Sequence, residues 1–262
     1  MDTPSDNRPA IEFHKVCYRF DNGQTLLHEL DLEIRRGETL VLLGRSGSGK
    51  TTSLKLINHL LVPSEGDVRV DGRSTRDWDV IRLRRMIGYV IQEVGLFPHF
   101  TVARNIGLVP QIEDWPATRI QQRVQELLQL VGLDADAQLA SRYPRELSGG
   151  QRQRIGVARA LAADPPILLM DEPFGALDPI TRAELQREFL ALQQRLRKTV
   201  VFVTHDLREA LFLGTRIALM EAGRLVTVLT PDEFVNSTEP LVAAYVDAFG
   251  TGSNGSGKRG HS

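Results

Sequence analysis

Apolar positions along this chain follow two rhythms. Between residues 11 and 43 they mark three strands, Ile11–Phe20, Leu30–Ile34 and Thr39–Leu43. The turn signals Asp21-Asn22-Gly23 and Arg35-Arg36-Gly37 separate them. Thr52-Ser53-Leu54-Lys55-Leu56-Ile57 then opens a helix that runs to about Leu61, and Gly66–Val70, the Asp71-Gly72 turn and Ile87–Gln92 read as a β-pair. From 101 to 147 the strand signal fades. Ile120, Val124, Leu127, Leu128 and Val131 recur at helical spacing, which predicts a helical insertion. Alternation resumes with a helix from Gln151 to Ala162, strand Ile167–Met170, a helix over about Ile180–Leu196, strand Thr199–Val203 and a short helix from Leu207. Arg216–Met220, the Ala222-Gly223 turn and Leu225–Leu229 follow. Strands alternating with helices predict an α/β fold with a largely parallel sheet. The expected organisation is a flexible lead over 1–10, a folded domain over 11–249 with a helical subdomain at about 101–150, and a tail over 250–262. That tail is rich in glycine and serine and too poor in apolar residues to pack. Its Gly255-Ser256-Gly257-Lys258 run has no flanking strand or helix and is given no function.

Composition narrows the class. With 262 residues, 42% hydrophobic and 25% charged, the chain has room for one large domain, or a core with a smaller subdomain. A net charge of −1 gives no global field that calls for nucleic acid. Cys17 is the single cysteine, so no intrachain disulfide and no cysteine-rich metal site is expected, which suits a reducing compartment. Met1 to Pro9 is polar and has no signal-peptide core. No run approaches the roughly 20 apolar residues of a spanning helix.

The chemistry begins at Gly44-Arg45-Ser46-Gly47-Ser48-Gly49-Lys50-Thr51, set between the apolar run Thr39–Leu43 and a helix. Glycines let several backbone N–H groups converge on one anion, and the following helix adds its positive end. This is the P-loop pattern: residues Gly44 to Thr52 would bind a nucleoside triphosphate, with Lys50 on the β- and γ-phosphates and the Thr51 hydroxyl on magnesium. A plain strand-to-helix turn would need the glycines but not Lys50 and Thr51. Ile167-Leu168-Leu169-Met170 ends in Asp171-Glu172, two carboxylates at the carboxyl end of a buried strand, where such sheets bind ligands. Asp171 would orient magnesium, and Glu172 would polarise the attacking water. Leu147-Ser148-Gly149-Gly150-Gln151 opens another helix and makes a second anion site.

Together these residues resemble the ATP-binding cassette, or ABC, ATPases, whose signature Leu147–Gln151 matches. The resemblance covers roughly residues 11–249. It implies a P-loop NTPase fold with a mostly parallel core sheet, an N-terminal antiparallel β-subdomain and a helical insertion. It also implies ATP and Mg2+ as cofactors, and a dimer in which Ser148, Gly149, Gly150 and Gln151 contact the γ-phosphate held by the opposite P-loop. Gln92 stands where the family has its Q-loop glutamine, on magnesium or water. Asp178, in Gly175-Ala176-Leu177-Asp178, stands in the D-loop at the dimer interface, and His205 is the switch histidine on the γ-phosphate. The adenine would stack on Phe20, or on Tyr18. Tyrosine is usual there, so Phe20 is a departure that keeps the stacking face. Arg45 replaces the small residue or proline usual in the loop.

One P-loop, no spanning segment and no long heptad insertion disfavour tandem translation factors, fused exporters and chromosome-type members. Val90-Ile91-Gln92-Glu93-Val94-Gly95-Leu96-Phe97-Pro98-His99-Phe100-Thr101-Val102-Ala103-Arg104-Asn105-Ile106 looks like bacterial importers. Gly88–Gln92 followed by Ala103-Arg104-Asn105-Ile106-Gly107-Leu108-Val109-Pro110 is similar to the osmoprotectant subfamily, and Met170 to Arg182 is compatible with it. The expected cargo is glycine betaine, carnitine, choline or a related quaternary amine, with polar amino acid or other small-solute import as the alternative. Membrane permease subunits, a periplasmic or extracellular solute-binding protein and a second ATPase subunit, identical or a close paralogue, are the implied partners. The implied place is the cytoplasmic face of the cell membrane. Phe97, Pro98 and Phe100 are either core residues or the lining of a groove that receives a short helix of the permease, and a proline-broken loop, which buries poorly on its own, favours the groove. Some osmoprotectant ATPases carry C-terminal CBS domains; the dozen or so residues after Phe249 hold none, so sensing through them is not expected of this sequence.

Overall fold

The computed structural model describes residues 8–250 except Glu93, Val94, Ala137 and Ala176; of Phe249 and Gly250 only the backbone is described. The first seven residues of the expected lead, and the tail from 251, lie outside the described residues. Ala10, counted with the lead, is buried, and its N–H donates to Ile34 O at 2.8 Å.

Strands β1 (Ile11–Arg19) and β2 (Thr25–Ile34) pair antiparallel across the expected turn. Strand β3 (Thr39–Leu43) is buried at every residue and feeds α1 (Lys50–Ile57). Strand β4 (Glu65–Val70) returns beside β1, and Asp71 and Gly72, at φ 53° and 73°, turn the chain into β5 (Arg73–Ser74). Helix α2 (Val80–Arg85) leads to β6 (Ile87–Val90). Helices α3 (Val102–Ile112), α4 (Ala117–Leu130) and α5 (Gly149–Ala160) pack on one another. Then come β7 (Ile167–Asp171), α6 (Pro179–Leu196), β8 (Thr199–Thr204), α7 (Leu207–Leu213), β9 (Arg216–Glu221) and β10 (Arg224–Leu229). Helices α8 (Pro231–Val235) and α9 (Pro240–Gly250) follow.

The strands form two sheets. One is antiparallel, ordered β2-β1-β4-β5; the other is ordered β10-β9-β3-β8-β7-β6, and every pair in it except β10–β9 is parallel. The expected β-pair of Gly66–Val70 with Ile87–Gln92 is corrected here. The Asp71-Gly72 turn joins β4 only to the two-residue β5, and β6 lies beside β7 in the other sheet. The reason is burial on both faces: Ile87, Gly88 and Val90 are all buried, as a parallel strand requires. A Cβ on Gly88 would come within 2.4 Å of Ala160 O, so only glycine lets α5 pack this close.

Alternation along the second sheet sorts its side chains into two cores. Val41, Leu43, Leu168, Met170 and Phe202 face the helices, among them Ile106, Leu127 and Ile155. Leu40, Leu42, Leu169, Val201 and Val203 face α1 and the first sheet, meeting Leu54, Ile11, Phe13 and Leu30. The carboxyl ends of β3, β7 and β8 therefore emerge side by side, held from both faces.

Candidate nucleotide site

The loop after β3 owes its shape to glycine. Gly47 and Gly49 adopt φ 82° and 97°, in the left-handed region, and Gly49 caps α1. A Cβ on Gly44 would sit 2.2 Å from Met220 O. Lys50 is buried, and its ammonium donates to Gly44 O at 2.8 Å and Arg45 O at 2.9 Å. Burial lowers its pKa, while Glu172, Asp171 and Glu221 oppose that shift. The lysine is thus prepaired with carbonyls on the loop it would serve.

A cavity of about 680 Å3 opens above this loop, within the roughly 300–1,000 Å3 of small-molecule sites. Its wall brings together Gly44, Arg45, Ser46, Gly47, Gly49, Lys50, Thr51 and Thr52 with Gln92, Glu172 and His205. Ser48 lies buried under the loop with its hydroxyl unpartnered. Gln92 is exposed, two residues past the end of β6. The Thr51 hydroxyl donates to Asp171 Oδ1 at 2.8 Å. Burial raises the Asp171 pKa; the Thr51 bond opposes the shift and Glu172 reinforces it. Glu172 sits in the left-handed region at φ 43°, and its N–H is held by Val203 O at 3.0 Å. That conformation turns its side chain toward His205, whose Nδ1 lies 3.1 Å from Glu172 Oε2.

Other residues singled out in the sequence stand apart from the cavity. Ser148 caps α5 through a reciprocal pair with Gln151: the Gln151 N–H donates to the Ser148 hydroxyl at 3.2 Å, and the Ser148 N–H to Gln151 Oε1 at 2.9 Å. Gly149 and Gly150 form the first turn of α5 beside Leu177 and Thr181. Asp178 caps α6 by accepting from the N–H groups of Ile180 and Thr181, both at 3.1 Å. Hydrogen bonds to Thr181 lower its pKa. Phe20 is 41% exposed at the β1–β2 turn, edge-on to Tyr18 at 5.5 Å. The cavity also has a wall that local reading missed. Leu26, Glu221 and, from α9, Leu241, Ala244, Tyr245 and Ala248 all line it. Proline at the start of α8 and α9, and the Thr230–Glu233 capping box, were the available signals.

A glycine loop between a buried strand and a helix, beside a hydroxyl–carboxylate pair, defines a P-loop nucleotide-binding α/β protein, and ATP is the nucleotide of its family. The chain belongs to the ABC transporter family: the model of that description matches residues 27–175. Among relatives, it is 54% identical over 215 residues to the osmoprotectant import ATP-binding protein OsmV of Salmonella typhimurium, across 81% of this chain and 56% of the relative. It is 51% identical over 227 residues to the glycine betaine/carnitine/choline transport ATP-binding protein OpuCA of Bacillus subtilis, across 87% of this chain and 59% of the relative. The chain therefore spans little more than half the length of these relatives. Among solved structures, it resembles the dimeric post-hydrolysis state of the ATP-binding cassette MJ0796 bound to ADP and Pi. The TM-score there is 0.74 at 34% identity, over 84% of this chain and 98% of that one. Among the described residues no helix is long and apolar enough to cross a membrane.

Proposed function

We propose that this chain is the ATP-hydrolysing subunit of a bacterial ABC importer that takes up an osmoprotectant such as glycine betaine, carnitine or choline. The observation that carries the reading is the convergence of Lys50, Thr51, Glu172 and His205 on one cavity, in a chain identical to osmoprotectant import ATPases at about half of the aligned positions.

Backbone N–H groups of residues 44–51 and the Lys50 ammonium bind the phosphates. Phe20 takes the adenine face. Glu172 accepts a proton from the attacking water, and His205, 3.1 Å away, orients that carboxylate and reaches the γ-phosphate. Magnesium fits the donors present: Thr51 and Asp171 already offer touching hard oxygens, Gln92 adds an amide oxygen, and such an ion needs only one or two carboxylates beside phosphate. When bound there it would neutralise charge on the β- and γ-phosphates.

Ser148 to Gln151 stand away from their own chain's cavity, so their N-terminal helix dipole serves the cavity of a second copy or close paralogue, with Asp178 at the seam. Closure of that dimer on ATP is passed to permease subunits through the groove near Phe97, at the cytoplasmic membrane face, and a solute-binding protein delivers the cargo.

Purification of the tagged Glu172→Gln chain from native membranes with ATP and magnesium tests the reading. Recovery of a permease and a binding protein that takes up betaine or choline supports it. A binding protein selective for polar amino acids overturns the cargo assignment, and recovery of nucleic acid alone overturns transport.

A further inference from the structure

Helix α7 carries a carboxylate where an apolar residue would pack more cheaply. Glu209 is only 6% exposed, between buried neighbours Leu207, Ala210 and Leu213 of the same helix. Burial pushes its carboxyl above the usual range, and the Thr204 hydrogen bond opposes the shift. Stability alone does not favour such a group, since a hydrophobic replacement for a buried ion is often neutral or better. Its contacts show what it holds instead. The Thr204 hydroxyl, at the end of β8, donates to Glu209 Oε2 at 2.5 Å, and the Gln186 amide of α6 donates to Oε1 at 2.9 Å. The Thr204 oxygen is used a second time, accepting from the Asp206 N–H at 3.0 Å. The hydroxyl of one neighbour of His205 and the backbone N–H of the other are therefore tied together, while the His205 side chain itself is 64% exposed and is met by Glu172.

The other flank of the catalytic pair is gripped from the same place. Arg182 of α6 donates through Nη2 to Leu177 O at 3.1 Å and to Gly175 O at 3.4 Å, on the segment that follows Glu172. Its charge acts on Glu209, and its Nε is buried with no partner. We propose that Glu209, with Thr204, Gln186 and Arg182, forms a polar bracket, buried at Thr204 and Glu209, that sets the relative position of Glu172 and His205. Glu209 is a positioning residue: it touches no substrate and acts through His205. Through the charge of Arg182 the bracket also couples the backbone at Gly175 and Leu177 to Glu209, and so to the turn bearing His205. The inference rests on the ATPase reading above.

The test is a small set of substitutions in the full chain, read by steady-state ATP hydrolysis, by binding of a fluorescent ATP analogue, by thermal melting and by the nitrogen chemical shifts of the His205 ring. Glu209→Gln and Thr204→Val should lower kcat roughly tenfold to hundredfold through misplacement of the pair, with KM and analogue affinity within about twofold. Thr204→Ser, which keeps the hydroxyl, should hold kcat near wild type. In a His205→Ala background Glu209→Gln should cost nothing further. The His205 ring shifts should move in Glu209→Gln at a temperature where the variant is fully folded. Equal losses with and without His205, or unmoved ring shifts, would overturn the bracket while wild-type hydrolysis still stands. Shifts that move in a wild-type background that hydrolyses no ATP would instead overturn the ATPase reading and leave the bracket in place.

Discussion

Thr51 and Asp171 lie 120 residues apart in the chain, yet the threonine hydroxyl donates to the aspartate at 2.8 Å. The bond ties the first turn of α1 to the end of β7, so the glycine loop's helix and the strand end are one unit before any ligand arrives. Burial makes Asp171 hold its proton more tightly in the folded chain than in the unfolded one. Its contribution to stability is therefore full below the ordinary carboxylate pKa and is lost as pH rises through the raised folded value. Asp171→Asn cannot ionise, so the variant should melt above wild type at neutral pH and converge with it in acid. Adding magnesium to the ATP-saturated protein should raise the melting temperature of wild type further but not that of the variant. Melting curves across pH, with and without magnesium, check both statements.

Glu172 faces His205 across 3.1 Å and holds a backbone conformation that few side chains adopt. Replacing it with glutamine keeps size and hydrogen bonding but removes the carboxylate proposed as the base. Glu172→Gln should lower ATP turnover by roughly 10²–10⁴-fold while leaving ATP binding near wild type. It should also accumulate as an ATP-dependent dimer on gel filtration, because closure no longer ends in hydrolysis. A variant that turns over at the wild-type rate would remove Glu172 from its assigned role.

These two sites show what kind of information a sequence carries. The loop from Gly44 to Thr51 is legible because its chemistry is local: the residue types and spacing that shape a phosphate cradle are adjacent in the chain. Glu172 and His205 are legible because each directly follows a buried apolar strand. The position of Ile87–Val90 is not, since the Asp71-Gly72 turn predicts a hairpin partner and only burial on both faces assigns the strand to the other sheet. Tyr245 and Glu221 were equally hidden. They reach the cavity from α9 and the end of β9, and nothing near them in sequence points to an anion. Asp178 and Ser148 are cases between: their helix caps are local and certain, whereas a role on another chain's nucleotide depends on assembly.

Phe97 is 40% exposed and tilted against Phe100 at 5.2 Å, yet its backbone is tightly held. The buried Asn105 amide donates to Phe97 O, Phe100 O and Thr101 O, and its oxygen accepts from the Phe97 N–H at 2.8 Å. A rigid loop that presents an aromatic face suits docking better than core packing. Phe97→Ala should therefore abolish solute uptake in the assembled transporter and leave ATP binding by the purified subunit unchanged. Asn105→Ala should cost about 1–3 kcal/mol of stability, because it leaves part-buried carbonyls without their donor. Uptake assays and urea denaturation separate the two effects, and loss of ATP binding in Phe97→Ala would count against the docking role.

Tyr18 and Phe20 share a strand end but face different surroundings. Tyr18 packs against the core between the first sheet and α1, whereas Phe20 is exposed and braced by the Tyr18 ring edge at 5.5 Å. An exposed aromatic face with a fixed backing is what a nucleobase needs, and stacking of this kind contributes about 0.5–1.5 kcal/mol. Phe20→Ala should weaken ATP binding by about threefold to tenfold and leave folding stability untouched, and Phe20→Tyr should restore binding. Tyr18→Ala should destabilise the fold, by up to about 3 kcal/mol for a partly buried ring, and weaken binding only through the lost brace. Titration of a fluorescent ATP analogue against each variant, paired with urea denaturation, distinguishes them. A strong binding defect in Tyr18→Ala beside a neutral Phe20→Ala would transfer the adenine contact to Tyr18.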